Sequence, residues 1–211
     1  MGSLIYNENV TCIPGDGEPI EREGATLLTT GDHRLSGLRD YLRQKKEAVL
    51  ALVERDRRAE AGPQRLSARV TAEGRSGVRR IRVGDFQVIM DSPPELAGYS
   101  LGPQSQELLI GVLGSCLTHI FLIQAALRDV PLDSLEVEVS ATRHPRAGAP
   151  GLEDVPIYPH DIRYQVHVSS PATRAEIEAL HAAVEQNCPV FNLFRHPVGV
   201  EGTVVLNGVA A

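Results

Sequence analysis

Two cysteines of this chain stand in settings where a thiol could do chemistry. Cys116 lies near the middle of the longest apolar run, and Cys188 is followed by proline at the expected end of a second helix. A buried thiol alone has a raised pKa and is inert, so Cys116 becomes reactive only if a cation reaches it. The candidate cations are His119, three residues further along the same helix face, and Arg75, between the two glycines of a turn. Without such a cation, Cys116 is an ordinary core residue.

If the two thiols meet, their chemistry is narrowly constrained. A thiolate attacks an electrophilic oxygen or sulfur, becomes a sulfenic acid and condenses with the second thiol to a disulfide. An external thiol then regenerates both groups by exchange, with no cofactor. A metal site is less favoured, because Cys116 and His119 lack a second ligand pair such as CxxC. A phosphate-binding glycine loop and a GxSxG nucleophile elbow are both absent from the sequence.

The run QSQELLIGVLGSCLTHIFLIQAALRDV, residues 104–130, predicts the helix that positions Cys116. A helix that is apolar on every side is either buried in a core or spans a membrane. Length alone permits a span, but Ser115, Thr118 and His119 interrupt the run, and such residues are costly in lipid. We therefore interpret it as a central helix covered on all sides by protein.

A patch of small residues precedes Cys116 in this helix. Gly111, Gly114 and Ser115 would let another backbone come close, so we expect a second helix to pack there, from this subunit or another one.

Periodicity and turn residues predict the remaining elements. An amphipathic helix over Leu38–Ala61 ends at Gly62-Pro63, and the turn EGRSGVRR joins two strands into a hairpin with Arg75 at its tip. Pro171 is expected in the first turn of a later helix that ends near Asn187. The predicted strands cover residues 65–72, 81–91, 135–142, 162–168 and 198–206. This order favours an α+β fold with mainly antiparallel sheets.

Composition excludes several classes of protein. With 211 residues, a net charge of −6, 4% aromatic residues and no Trp, the chain offers neither a basic surface nor a stacking platform for nucleic acid. The first residues, MGSLIYNENV, contain no basic region followed by an apolar segment, so no signal peptide is predicted. Three cysteines is an odd number, and reduced thiols in the cytoplasm are the expectation.

Several motifs together resemble the OsmC/Ohr family of osmotically inducible proteins C and organic hydroperoxide resistance proteins. They are EGRSG, DSPPELAGYSLGPQSQELL, QELLIGVLGSCLTH, VPLDSLEVEVS and NCPVFNLF, in this order. The resemblance covers roughly residues 65–206, so we expect an N-terminal extension with one helix over 1–62 and an OsmC-like domain over 63–211.

The resemblance implies an intertwined homodimer in which mainly antiparallel sheets wrap around long central helices, with both active sites at the interface. It implies thiol-dependent reduction of organic hydroperoxides, with a small thiol or a lipoyl group as reductant, and no metal or other cofactor. By residue, Cys116 matches the peroxidatic cysteine and Cys188 the resolving one. Arg75 matches the arginine that holds the thiolate, and Glu107 is the expected acid that orients this arginine.

One departure leaves a second function open. In the peroxidase branch the acid lies ten residues before the cysteine, where this chain has Gln106, and Glu107 follows one residue later. On an ideal helix Glu107 lies about 180° from Cys116, unless the helix start is irregular or the acid serves the partner chain. The alternative is a non-peroxidatic dimer that binds a small apolar or thiol-reactive ligand in the same pocket. A partner-docking role for the N-terminal helix is a third possibility, and Arg69, Arg79 and Arg80 are rivals of Arg75.

Overall fold

Antiparallel strands and helices follow one another in blocks in this computed structural model, which describes residues 37–196, 198–206 and 209–210. In chain order the elements are α1 Leu38–Arg58, β1 Arg69–Ala72, β2 Arg79–Val83, β3 Phe86–Met90, a 3₁₀ turn Pro94–Leu96, α2 Ser105–Leu127, β4 Ser134–Thr142, β5 His160–Ser169, α3 Arg174–Asn187, α4 Pro189–Arg195, β6 Val205–Leu206 and β7 Val209–Ala210. The strands form the sheets β1–β2–β3, β4–β5 and β6–β7. All strand pairs are antiparallel, so the predicted α+β class is confirmed.

The early hairpin is a three-stranded meander. The expected single strand over residues 81–91 is divided, because Gly84 adopts a positive φ of 55° and forms a two-residue turn with Asp85. Val83 pairs directly with Phe86 across this turn. A Gly-containing two-residue loop is the usual connection of a tight hairpin, and the sequence analysis missed this one.

Other boundaries also differ from the predictions. α1 ends at Arg58 rather than at Ala61. α3 begins at Arg174, because Thr173 and Glu176 form a capping box that defines the start better than Pro171 does. The short helix α4 was not predicted. The expected strand over 198–206 is reduced to β6.

α2 is the central element of the core. One face of this 23-residue helix buries Leu113, Leu117, Phe121 and two alanines. These residues pack with Leu180 and other buried residues of α3, and with the inward side chains of β4 and β5. By length and composition alone α2 could cross a membrane, but a core helix meets the same criterion.

Part of the surface of α2 in its N-terminal half is not covered by the described part of the chain. Leu109 and Val112 each expose 43% of their surface. The expected complete cover of this helix is therefore absent within the described residues of one subunit. The β1–β3 sheet is similarly open, since Phe86 is 81% exposed and Val70 is 56% exposed.

The small-residue patch of α2 has a local explanation. A Cβ on Gly114 would lie 3.0 Å from a methyl group of Val139, so this glycine lets β4 approach the helix closely. At Gly114 the close neighbour within the chain is thus a strand, while the packing of a second helix on the exposed part of the patch stays a prediction. At Gly111 a Cβ would meet nothing within 4 Å.

α1 lies against the C-terminal half of α2. Leu42 is its buried residue and belongs to the common core. Two ion pairs accompany this contact, from Arg39 to Asp133 and from Lys46 to Asp129, both at 2.6 Å. The extension and the rest of the chain are therefore in contact at this helix, while the domain boundary near residue 62 stays a prediction.

The loop that leads into α2 is organised by Asp91. This buried carboxylate accepts N–H groups from Ser92 and Tyr99 at 2.8 Å and from Leu101 at 3.2 Å. Burial raises the pKa of Asp91, but the three N–H groups and the charge of Arg79 outweigh it, so the pKa is lowered overall. Asp91 therefore stays ionised at neutral pH and closes the loop before the helix.

Replacing Gly98 in this loop by alanine should destabilise the protein by about 3 kcal/mol, the upper end of the usual cost of overpacking. A Cβ at this position would lie 1.9 Å from the backbone oxygen of Ser92, so the loop would have to move. Denaturant unfolding measures the change. The matched control is Gly62→Ala, where a Cβ meets nothing within 4 Å and the effect should stay within about 0.5 kcal/mol. Equal stability of the two variants would contradict this account of the loop.

Candidate functional site

The two cysteines that the sequence singled out lie next to each other. The Sγ atoms of Cys116 and Cys188 are 3.4 Å apart, although 72 residues separate them in the chain, and the Cys188 thiol donates to the Cys116 sulfur. A disulfide bond is about 2.05 Å long, so both are free thiols. The distance leaves only a small movement between this pair and a bond.

Helix geometry places each thiol. Cys116 lies in the middle of α2 and is half-buried. Cys188 ends α3 and begins α4, because a residue before proline is disfavoured in helical geometry while Pro189 suits the first position of the next helix. The predicted helix end at this point is confirmed, and the break between α3 and α4 places the Cys188 sulfur against α2.

The two thiols differ in their access to solvent. Cys188 is 0% exposed, whereas part of Cys116 reaches the surface. Burial raises the pKa of Cys188, and the adjacent Cys116 raises it further, while the N–H groups of Phe191 and Val190 lower it only partly. Cys188 is therefore a protonated thiol at neutral pH. A reagent from solvent meets Cys116 first.

Arg75 lies in the exposed turn between β1 and β2. No hydrogen bond or ion pair joins it to Cys116 within the described residues of one chain. Two of its rivals are already engaged: Arg80 pairs with Glu73 at 2.7 Å, and Arg79 donates to backbone oxygens of Gly77 and Asp91. The structure thus brings the two thiols together but not the expected arginine.

Glu107 is exposed and has a local role at the start of α2. Its carboxylate accepts the backbone N–H of Gln104 at 2.8 Å, in a capping box. Its neighbour Gln106 differs, because its side-chain oxygen is buried and has no donor among the described residues. In the sequence Gln106 stands out only as an amide where an acid is expected, and its open acceptor depends on packing that no local pattern indicates.

His119 is exposed on α2, one turn after Cys116. Partial burial lowers its pKa, and the charge of Lys45 on α1 lowers it further. The imidazole is therefore neutral at pH 7 and does not supply a cation to the thiol. Among the residues that the structure describes, no group of three His, Cys, Asp or Glu side chains could hold a metal ion.

A third polar group near the thiols was missed by the sequence analysis. The Tyr164 hydroxyl on β5 contacts His181 and Glu185 on α3. The ring of Tyr164 also packs edge-on against Phe191, three residues after Cys188, at 5.9 Å between centroids. The available signal was the spacing of Glu178, His181 and Glu185, which places all three on one face of the helix.

Comparison with protein families gives one match. The model of the family described as OsmC-like protein matches residues 98–202. This range contains Cys116, Cys188, Gln106 and Glu107, but it begins after Arg75. No curated protein matches the chain.

Comparison with solved structures shows a likeness of fold. An OsmC-like protein from Mycoplasma pneumoniae superposes with a TM-score of 0.55 and 17% identity, covering 64% of this chain and 89% of that one. An organic hydroperoxide resistance protein OsmC from Legionella pneumophila has a TM-score of 0.46 and 18% identity, with 64% and 91% coverage. An OsmC-like protein from Vibrio cholerae has a TM-score of 0.48 and 17% identity, with 62% and 93% coverage. The likeness of fold rests on the first of these.

Proposed function

We propose that this chain, whose residues 98–202 match the family described as OsmC-like protein, is a cytoplasmic thiol-dependent peroxidase that reduces organic hydroperoxides. The observation that carries the proposal is the pair of free thiols at 3.4 Å, one half-exposed and one fully buried. In that arrangement the half-exposed thiol can react with the hydroperoxide, and the buried thiol can react only with the sulfenic acid that forms on its neighbour.

The first step uses Cys116. Its thiolate attacks one oxygen of the hydroperoxide, an S–O bond forms, the O–O bond breaks, and the alcohol leaves after taking a proton. The Cys188 sulfur then attacks the Cys116 sulfur. An S–S bond forms, and the hydroxyl of the sulfenic acid leaves as water with the proton of Cys188.

A small thiol or lipoyl-type reductant returns the two electrons. Its thiolate attacks the Cys116 sulfur, because the Cys188 sulfur has no surface that an external reagent could reach. Cys188 leaves as the thiol, and a second external thiol releases the reductant as its disulfide. No cofactor takes part in these steps.

The described residues of one chain do not place a cation at Cys116. We propose an intertwined homodimer in which the open face of α2 and the open β1–β3 sheet are covered by a second copy. Exposed Leu109 and Val112 on the helix and exposed Phe86 on the sheet support this cover. Arg75 of a second copy would then stabilise the Cys116 thiolate, since no arginine among the described residues of one chain forms a hydrogen bond to Cys116.

Gln106 and Glu107 have separate tasks in this proposal. Glu107 fixes the first turn of α2 through its bond to Gln104, at the helix end where an acid is favoured. Gln106, whose buried side-chain oxygen has no donor among the described residues, would turn this oxygen toward the incoming guanidinium. The amide would take the orienting position that an acid has in the peroxidase branch.

The second candidate is a dimer that binds a small apolar or thiol-reactive ligand without turnover. The amide at Gln106, in place of an acid, favours it. The rate at which the protein consumes an alkyl hydroperoxide in the presence of dithiothreitol separates the two functions.

One equivalent of cumene hydroperoxide, added to the reduced protein, should lower the thiol count from three to one. Intact mass and peptide mapping should identify a Cys116–Cys188 disulfide, because these two sulfurs lie side by side. The thiol that remains should be Cys12, which the proposed cycle does not use. Cys12 itself lies outside the described residues. Three persisting thiols would contradict the peroxidase function and favour the ligand-binding one.

A further inference from the structure

A cavity of about 540 Å³ lies between β5 and α3, with Phe121 of α2 among its lining residues. Its apolar walls are Val166, Val168 and Ile177. The cysteines of the proposed reaction do not line it. Its volume is within the range of roughly 300–1,000 Å³ that small-molecule sites occupy.

One end of the cavity is polar, and three side chains form hydrogen bonds with one another there. The Tyr164 hydroxyl donates to Glu185 Oε1 at 2.6 Å. Its oxygen lies 2.5 Å from His181 Nε2, which must carry a proton and donate, because the only hydroxyl proton is used on Glu185. Tyr164 is thereby satisfied, while the second carboxylate oxygen of Glu185 stays free for a ligand.

The charge at this end is negative. Glu178, His181 and Glu185 follow one another on a single face of α3 and all line the cavity. Burial raises the pKa of Tyr164, the hydrogen bond and charge of Glu185 raise it further, and the nearby Cys188 adds to this effect while Arg195 opposes it. The nearby Arg195 is placed over the ring of Phe191, 5.4 Å from its centroid, and does not line the cavity.

Aromatic rings surround the negative end. The His181 ring stacks on Phe121 with 6.0 Å between centroids and 8° between planes, and Tyr164 meets His181 edge-on at 5.6 Å. Aromatic faces beside carboxylates attract organic cations, because the ring quadrupole and the carboxylate charge act in the same direction. An anion of the same size would be repelled by both glutamates.

We propose that this cavity is a binding site for a small organic ammonium ion with an apolar body. The ammonium group pairs with Glu185 beside the Tyr164 ring, and the body packs on the valines and isoleucine. The cavity lies near the thiols but neither sulfur lines it, so amine binding is measured separately from peroxide turnover.

The test uses three compounds of one shape and different charge: 2-phenylethylamine, 2-phenylethanol and phenylacetate. Isothermal titration of the wild-type protein at pH 7 should show saturable binding of the amine, at least tenfold tighter than the alcohol, and no binding of phenylacetate. Equal binding of amine and alcohol, or no saturable binding of the amine, would overturn the proposal.

Two variants locate the site. Glu185→Gln keeps an acceptor for Tyr164 and removes the charge, so amine affinity should fall at least tenfold. Val166→Phe fills the cavity and should abolish binding of both amine and alcohol. Glu136→Gln, at an exposed position of β4, is the matched control and should bind as the wild type does. Unchanged amine affinity in the folded Glu185→Gln or Val166→Phe protein would contradict the assignment.

Discussion

Replacing Cys116 by serine should abolish hydroperoxide turnover while the protein stays folded. A hydroxyl is a far weaker nucleophile than a thiolate near neutral pH, and Cys188 is too buried to take over. Loss of the nucleophile should lower the rate on the order of 10³-fold or more. Consumption of cumene hydroperoxide with dithiothreitol measures it.

The chain contains its own control for this experiment. Cys12→Ser removes the third thiol and should leave the rate unchanged, since the proposed cycle does not use Cys12. Circular dichroism and unfolding curves must show that both variants fold, which is expected because serine is close to cysteine in size. Retained turnover in Cys116→Ser would refute the assignment of the peroxidatic thiol.

Replacing Cys188 by serine should allow one oxidation and then stop the cycle. Without the second thiol, the sulfenic acid on Cys116 cannot condense within the chain. One equivalent of cumene hydroperoxide should therefore be consumed in the absence of external thiol. Dimedone, which reacts with sulfenic acids, should then label Cys116 in this variant but not in the wild type, where the neighbouring sulfur at 3.4 Å competes.

Mass spectrometry after dimedone treatment gives the answer without relying on steady-state rates. That choice matters because the half-exposed Cys116 leaves its sulfenic acid open to direct reduction by dithiothreitol. Wild-type protein that accumulates the dimedone adduct as strongly as Cys188→Ser would show that Cys188 is not the resolving thiol.

The elements that local patterns specify could be predicted from the sequence. The apolar run over residues 104–130 became α2, and the alternating runs became β4 and β5. Pro189 located the end of α3. The pairing of Cys116 with Cys188 came from the family resemblance, since nothing in local periodicity joins residues 72 positions apart.

What escaped prediction depends on contacts between distant segments. The open acceptor on Gln106 results from the packing around one amide, and the Tyr164–His181–Glu185 group requires β5 to lie beside α3. The role of Gly114 depends on the approach of β4. The turn at Gly84 is a different case, because its signal was local and was overlooked.

The separation of the two thiols along the chain also gives the site a topological property. A bond between them would close a covalent ring of the 73 residues from Cys116 to Cys188, which contains the C-terminal half of α2, all of β4 and β5, and α3. Closing such a ring restricts the unfolded chain and, in the chain-entropy model, stabilises the folded state by about 4 kcal/mol. The reduced chain is linear, whereas the oxidised chain contains a closed covalent ring. Each catalytic cycle would therefore raise and then lower the stability of the same central helices that hold the sulfurs together.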